Sequence, residues 1–189
     1  MQFFDSLEND QLIAVIRAGA VGVIPTDTVY GLVCGANNSA AVARLYAMKS
    51  REQKPGTIIA ANVDQILELG ITPTYLGLVD KFWPGPVSVE TPHSVTYLHQ
   101  GTGRQAIRIP DDARLRAFLE KTGPLQTTSA NHPGEPHANT VEEAKAYFNG
   151  QVDFYVDGGD TTGSEPSTII RITDDGTVEV IRQGARKIS

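Results

Sequence analysis

Three short segments carry side chains suited to holding a small polar ligand. One is Pro25-Thr26-Asp27-Thr28-Val29-Tyr30-Gly31, directly after an apolar run, and another is Ser129-Ala130-Asn131. The third centres on Arg108, two residues before Pro110. Taken singly, Pro, Thr, Asp, Ser and Asn are ordinary turn and cap residues. Three such clusters at strand ends, where α/β sheets gather their ligands, point to a site. Lys49, Arg51 and Lys54 lie together just before Pro55-Gly56. Cations at the end of a helix are favourable in their own right, but this set also has the makings of an anion clamp. Arginine forks onto phosphate or carboxylate, and lysine acts as a point charge. Arg108 is a charge within an apolar strand, so it requires a carboxylate or an anionic ligand as partner. Arg182, leaving the last strand in Ile181-Arg182-Gln183-Gly184, is placed for either role.

Other chemistry is poorly represented. The phosphate-binding pattern G-x-x-x-x-G-K-[ST] is absent, which excludes P-loop nucleotide binding. Gly101-Thr102-Gly103 and Asp157-Gly158-Gly159 read as turns. His132, Glu135 and His137 sit in a proline-rich loop without the helical spacing of metal ligands. The single cysteine, Cys34, has no base near it in sequence and reads as a small core residue. Aromatic residues form no RNA-binding stripe, and Trp83-Pro84-Gly85-Pro86 reads as a packed corner.

Elements that must position these groups follow from periodicity. Helical spacing predicts helices over residues 12–19, 39–48, 63–69, 72–82, 111–119 and 140–148. Ser39 is the expected N-cap of the second, and Thr140-Val141-Glu142-Glu143 is a capping box for the last. Apolar or alternating runs predict strands at 20–24, 57–60, 87–91, 105–109, 125–128, 154–156, 167–172 and 178–181. About eight strands and six helices in mixed order predict a mixed twisted sheet with helices packed on it. The 189 residues show no composition shift, so a single domain over 1–189, with its core at about 11–184, is expected. Hydrophobic residues at 40% and charged residues at 20% are those of a globular chain. Sixteen Lys and Arg against 22 Asp and Glu give a net charge of −6, the wrong sign for a nucleic-acid coat or an anionic-membrane binder. No signal peptide or membrane span is legible, and the setting expected is cytoplasmic.

The motifs taken in order are more specific than any one of them. Ile24-Pro25-Thr26-Asp27-Thr28-Val29-Tyr30-Gly31-Leu32, Lys49-Ser50-Arg51, Trp83-Pro84-Gly85-Pro86, Arg108-Ile109-Pro110, Thr128-Ser129-Ala130-Asn131 and Ser167-Thr168-Ile169 together resemble the YrdC-like family of threonylcarbamoyl-adenylate synthases. The resemblance spans residues 11–184. It implies an α/β fold, a twisted mixed sheet around a large concave cavity. It also implies a nucleotidyltransferase reaction on ATP, bicarbonate and L-threonine, with magnesium entering on the ATP. Threonylcarbamoyl-AMP and pyrophosphate form, and a partner transferase then modifies the tRNA adenosine beside the anticodon.

By the same resemblance, Lys49 and Arg51 hold the phosphates and stabilise developing charge. Thr28 and Ser129 orient threonine, Arg108 takes its carboxylate and Ser167 lies at the amino-acid end. Asn131 and Arg182 reach the nucleotide. As cleft cations, Lys49 and Arg51 should matter for turnover and little for stability. Glu52, His132-Pro133-Gly134 and Gln183 depart from the family's usual residues beside the site. The extra C-terminal domain of longer members has no counterpart in this sequence. One alternative is an RNA-binding ribosome-maturation factor of the same fold, with weak RNA contact and no adenylate synthesis. Another is a carbamoyl-adenylate-forming domain like those of hydrogenase-maturation enzymes.

Overall fold

The computed structural model describes residues 1–49, 54–73 and 76–188. Chain order runs β1 (Gln2–Phe4), α1 (Asp10–Arg17), β2 (Gly22–Ile24), β3 (Gly31–Gly35), α2 (Ser39–Met48), β4 (Thr57–Ile59), α3 (Val63–Glu68), α4 (Leu76–Val79) and β5 (Val87–Pro92). There follow α5 (Thr96–His99), β6 (Arg104–Arg108), α6 (Ala113–Thr122), β7 (Leu125–Ser129), α7 (Val141–Phe148), β8 (Phe154–Val156), β9 (Thr168–Ile172) and β10 (Val178–Arg182). The ten strands make one sheet, ordered β1-β8-β2-β3-β7-β4-β6-β5-β9-β10. Pairing is mixed, as expected. β3, β7 and β4 run antiparallel to their neighbours in turn, whereas β4 and β6 are parallel.

Alternation of side chains sorts the interior into two layers. Val23, Leu32, Cys34, Ile58 and Tyr155 point to one face, where α2 contributes Val42 and Leu45 and α7 contributes Val141 and Phe148. Ile24, Val33, Ile59, Phe154 and Val156 point to the other, under Leu12 and Ile16 of α1 and Leu115, Phe118 and Leu119 of α6. Cys34 is a fully buried member of the first layer, and burial alone pushes its thiol up to about 12.

Several expected boundaries shift. Asn38, not Ser39, caps α2, its side-chain oxygen accepting from the Ala41 amide at 3.0 Å. Thr140 does cap α7, but Glu143 reaches back to the Asn139 amide rather than to Thr140 itself. The helix expected over 72–82 is described as α4 alone, and residues 74 and 75 lie outside the described residues. β1, β3 and α5 were not expected at all. The Trp83 corner is packed as expected: its peptide bond to Pro84 is cis, and the indole Nε1 donates to the Val87 carbonyl at 2.8 Å.

Candidate active site

The sheet face covered by α1 and α6 continues beyond those helices as the floor of a cleft. Along β7 the inward residues change from Leu125 to Thr127 and then Ser129, and along β4 from Ile59 to Thr57. Period-two alternation keeps each set on one face, so the switch from branched apolar to small hydroxyl side chains marks where the core ends and a polar cavity begins. Water-sized spheres can be centred in about 100 Å³ of it. Thr28, Arg108, Ser129, Ser167 and Arg182 all line it, so residues from five separate segments converge on one cavity. Pro55 and Gly56 form part of its wall. A Cβ at Gly56 would meet the Thr127 carbonyl oxygen at 2.3 Å, so only glycine lets this loop lie against the floor.

The Pro25–Gly31 segment is held by its own hydroxyls. Thr26 Oγ1 donates to the Val29 carbonyl at 2.7 Å and accepts from the Thr28 amide at 3.2 Å. Tyr30 Oη donates to the Gly159 carbonyl and accepts from the Gly158 amide, both at 2.8 Å. Burial raises the Tyr30 phenol and keeps it neutral as this clamp.

Arg108 has the carboxylate that its sequence context demands. Its Nη2 donates to Asp27 Oδ1 at 2.9 Å and lies 3.3 Å from Thr28 Oγ1, with both charged side chains only 5% exposed. Burial raises the Asp27 carboxyl, and the Arg108 charge opposes that rise. On the far side of the cleft, Arg182 Nη2 donates to the Ser167 carbonyl at 2.6 Å, and Ser167 Oγ shares a 2.8 Å hydrogen bond with Ser88. Gly184 seals this turn, because a Cβ there would fall 2.1 Å from the Pro166 carbonyl oxygen.

Lys49 and Asn131 are joined to each other at the turn after β7 and are not among the residues that line the cavity. The Lys49 ammonium donates to the Ser129 carbonyl at 2.9 Å, to Asn131 Oδ1 at 2.8 Å and to the Asn131 carbonyl. Asn131 Oδ1 also accepts from Ser129 Oγ at 2.8 Å. Arg51 lies outside the described residues. Sequence reasoning missed Thr57, Ala106, Thr127 and Pro166 as lining residues. What could have marked Thr57 and Thr127 is strand phase alone, since each shares a face with an apolar residue of its own strand, Ile59 and Leu125. Among the described residues, no group of three or more His, Cys, Asp or Glu side chains is placed to hold a metal ion.

A twisted mixed sheet with a polar, arginine-lined cavity on one face defines a known class. The family model described as Telomere recombination, covering the Sua5, YciO and YrdC proteins, matches residues 14–184, and the chain belongs to that family. Threonylcarbamoyl-AMP synthase of Pseudomonas putida is 37% identical over 185 residues, which cover 95% of this chain and 98% of that protein. Among solved structures, Sua5 of P. abyssi complexed with L-threonine matches at a TM-score of 0.84 and 26% identity, over 97% of this chain and 58% of its own. This chain therefore spans less than two thirds of that longer protein. YciO of E. coli matches at 0.82 and 26% identity, over 98% of this chain and 97% of its own.

Proposed function

We propose that this chain acts as a single domain and is a threonylcarbamoyl-AMP synthase. The observation that carries the reading is the convergence of Thr28, Arg108, Ser129, Ser167 and Arg182 on one cavity. L-Threonine takes the end of the cleft nearest Arg108, with Thr28 and Ser129 orienting it by hydrogen bonds and Ser167 bounding the amino-acid side. The Arg108 guanidinium supplies the positive charge for the substrate carboxylate. The threonine amine attacks the bicarbonate carbon, and loss of water leaves a carbamate. The carbamate oxygen then attacks the α-phosphorus of ATP, and pyrophosphate leaves with the bonding electron pair.

Such a displacement needs alignment and charge stabilisation more than a protein nucleophile. Arg182 serves the nucleotide, and Arg51 serves the phosphates. Lys49 and Asn131 shape the turn after β7 against which the nucleotide rests. Magnesium enters as a companion of the ATP phosphates, beside which one or two protein oxygens suffice. The product passes to a transferase acting on tRNA, in the cytoplasm.

Pyrophosphate release from ATP and bicarbonate, with and without L-threonine, tests the reading, with mass analysis of the adenylate. Threonine-dependent release of a threonylcarbamoyl-AMP mass is expected. A folded protein that releases no pyrophosphate with threonine, and that binds duplex RNA with steep salt dependence instead, would overturn it.

A further inference from the structure

Asp27 stands apart from its neighbours. Thr26 and Thr28 line the cleft, but Asp27 does not; it is the carboxylate directly behind the cleft-lining Arg108. Arg108 Nη2 is held by two oxygens, Asp27 Oδ1 at 2.9 Å and Thr28 Oγ1 at 3.3 Å. A guanidinium is planar, so fixing one terminal amine from two directions fixes the plane of the whole fork. Asp27 Oδ2 and Arg108 Nε are buried without hydrogen-bond partners. An ion pair kept this dry is a costly way to gain stability, since well-packed apolar residues do the same work at least as well. Its position directly behind the cavity gives it a use there.

We propose that Asp27 is the positioning residue that aims the Arg108 guanidinium into the cleft, and that through Arg108 it sets the affinity for the L-threonine carboxylate. The inference rests on the reading of the cleft as a threonine site. Asp27 touches no substrate. Its carboxylate holds Nη2 and leaves the rest of the fork to the ligand, so Arg108 stands ready without being bare in a low-dielectric wall.

The test is L-threonine binding by calorimetry without ATP, and steady-state pyrophosphate release, for wild type, D27N, R108K and the double variant. D27N keeps an oxygen toward Nη2 but removes the charge. It should weaken L-threonine binding about tenfold, the loss expected when a charge-assisted hydrogen bond becomes a neutral one. The KM for ATP should stay within about twofold. R108K should lose more, and adding D27N to R108K should cost nothing further, because the residue acts only through the fork. D27E should recover part of the loss, and it also serves if D27N does not fold. Additive losses in the double variant, an equal rise in both KM values, or unchanged threonine affinity in D27N would each overturn the inference. Failure of wild type to bind L-threonine at all would instead remove the functional reading.

Discussion

The Lys49 ammonium, at the end of α2, is fastened to Asn131 through both the side-chain and the backbone oxygen of that residue. A cation that sequence spacing presents as a free phosphate clamp is therefore also a structural tie between a helix end and the turn leaving β7. Lys49 is only 3% exposed. Deleting it takes the ammonium from the Asn131 carbonyl, while the Ser129 carbonyl keeps the Asn131 amide and the Thr128 hydroxyl as donors; a polar group left short of its partner costs about 1–3 kcal/mol.

Lys49→Met should accordingly lose both turnover and stability, in contrast to the expectation that a cleft cation contributes little to the fold. Turnover should fall on the order of 10²-fold, the scale of a displaced positioning element. Urea unfolding should show a loss of about 1–3 kcal/mol. Unchanged stability with lost turnover would return Lys49 to a purely catalytic role.

Arg108→Ala should cost about 3–5 kcal/mol, because it strands the buried Asp27 carboxylate. The same change made with Asp27→Ala should cost less than Arg108→Ala alone. Chemical denaturation of the single and double variants measures this directly. A larger loss in the double variant would mean that packing, not charge, dominates at Arg108.

Gly184→Ala tests the seal beside Arg182. The added methyl would meet the Pro166 carbonyl oxygen at 2.1 Å, so the 184 turn must shift and move Arg182 away from the Ser167 carbonyl. A drop of about 2–3 kcal/mol in stability is expected, with a raised KM for ATP. An unaffected KM would dissociate this turn from the nucleotide.

The Cys34 thiol should be silent toward alkylating reagents in the folded protein, since it is fully buried and burial pushes it up to about 12. Labelling should track unfolding in a denaturant series. Labelling of the native protein at the rate of a free thiol would contradict this packing.

Burial, with His99 close by, pulls the His93 imidazole from its usual 6.5 down to about 4. Between those values the unfolded chain takes up a proton that the folded chain refuses. The His93 contribution is thus complete above about pH 6.5 and drains away as the pH falls toward 4. The urea midpoint of wild type should fall more between about pH 7 and pH 5 than that of His93→Gln. Parallel losses would assign the acid sensitivity to other groups.

Much of this architecture was readable from side-chain period. Strands such as β7, with its abrupt stop at Ser129, and helices such as α6, with Leu115, Phe118 and Leu119 on one face, announce themselves. β3 did not. It is bounded by glycines and buried on both faces, so it lacks alternation and reads as the tail of the preceding turn. β1 is three residues at a sheet edge, and α5 is four residues, both too short for any period to register. At the site, Arg108 declared its need for an anion, but which carboxylate answered depended on a contact across 81 positions of sequence. Thr57 and Thr127 were hidden for a related reason: a hydroxyl in a strand means little until the partner strand places another opposite it, as the Thr57 and Thr127 pairing does.

The strands that carry this pair, β7 and β4, occupy the fifth and sixth places of the ten in the sheet. Edge strands fray locally, whereas central ones open only when the whole molecule does. The floor of the cleft therefore has no private opening motion of its own. Amide protons of Thr57 and Thr127 should exchange with the slowest class in the protein. A ligand seated there should slow exchange across the whole sheet rather than around the cleft alone. Binding and global cooperativity are in that sense one measurement: whatever grips the floor grips the fold.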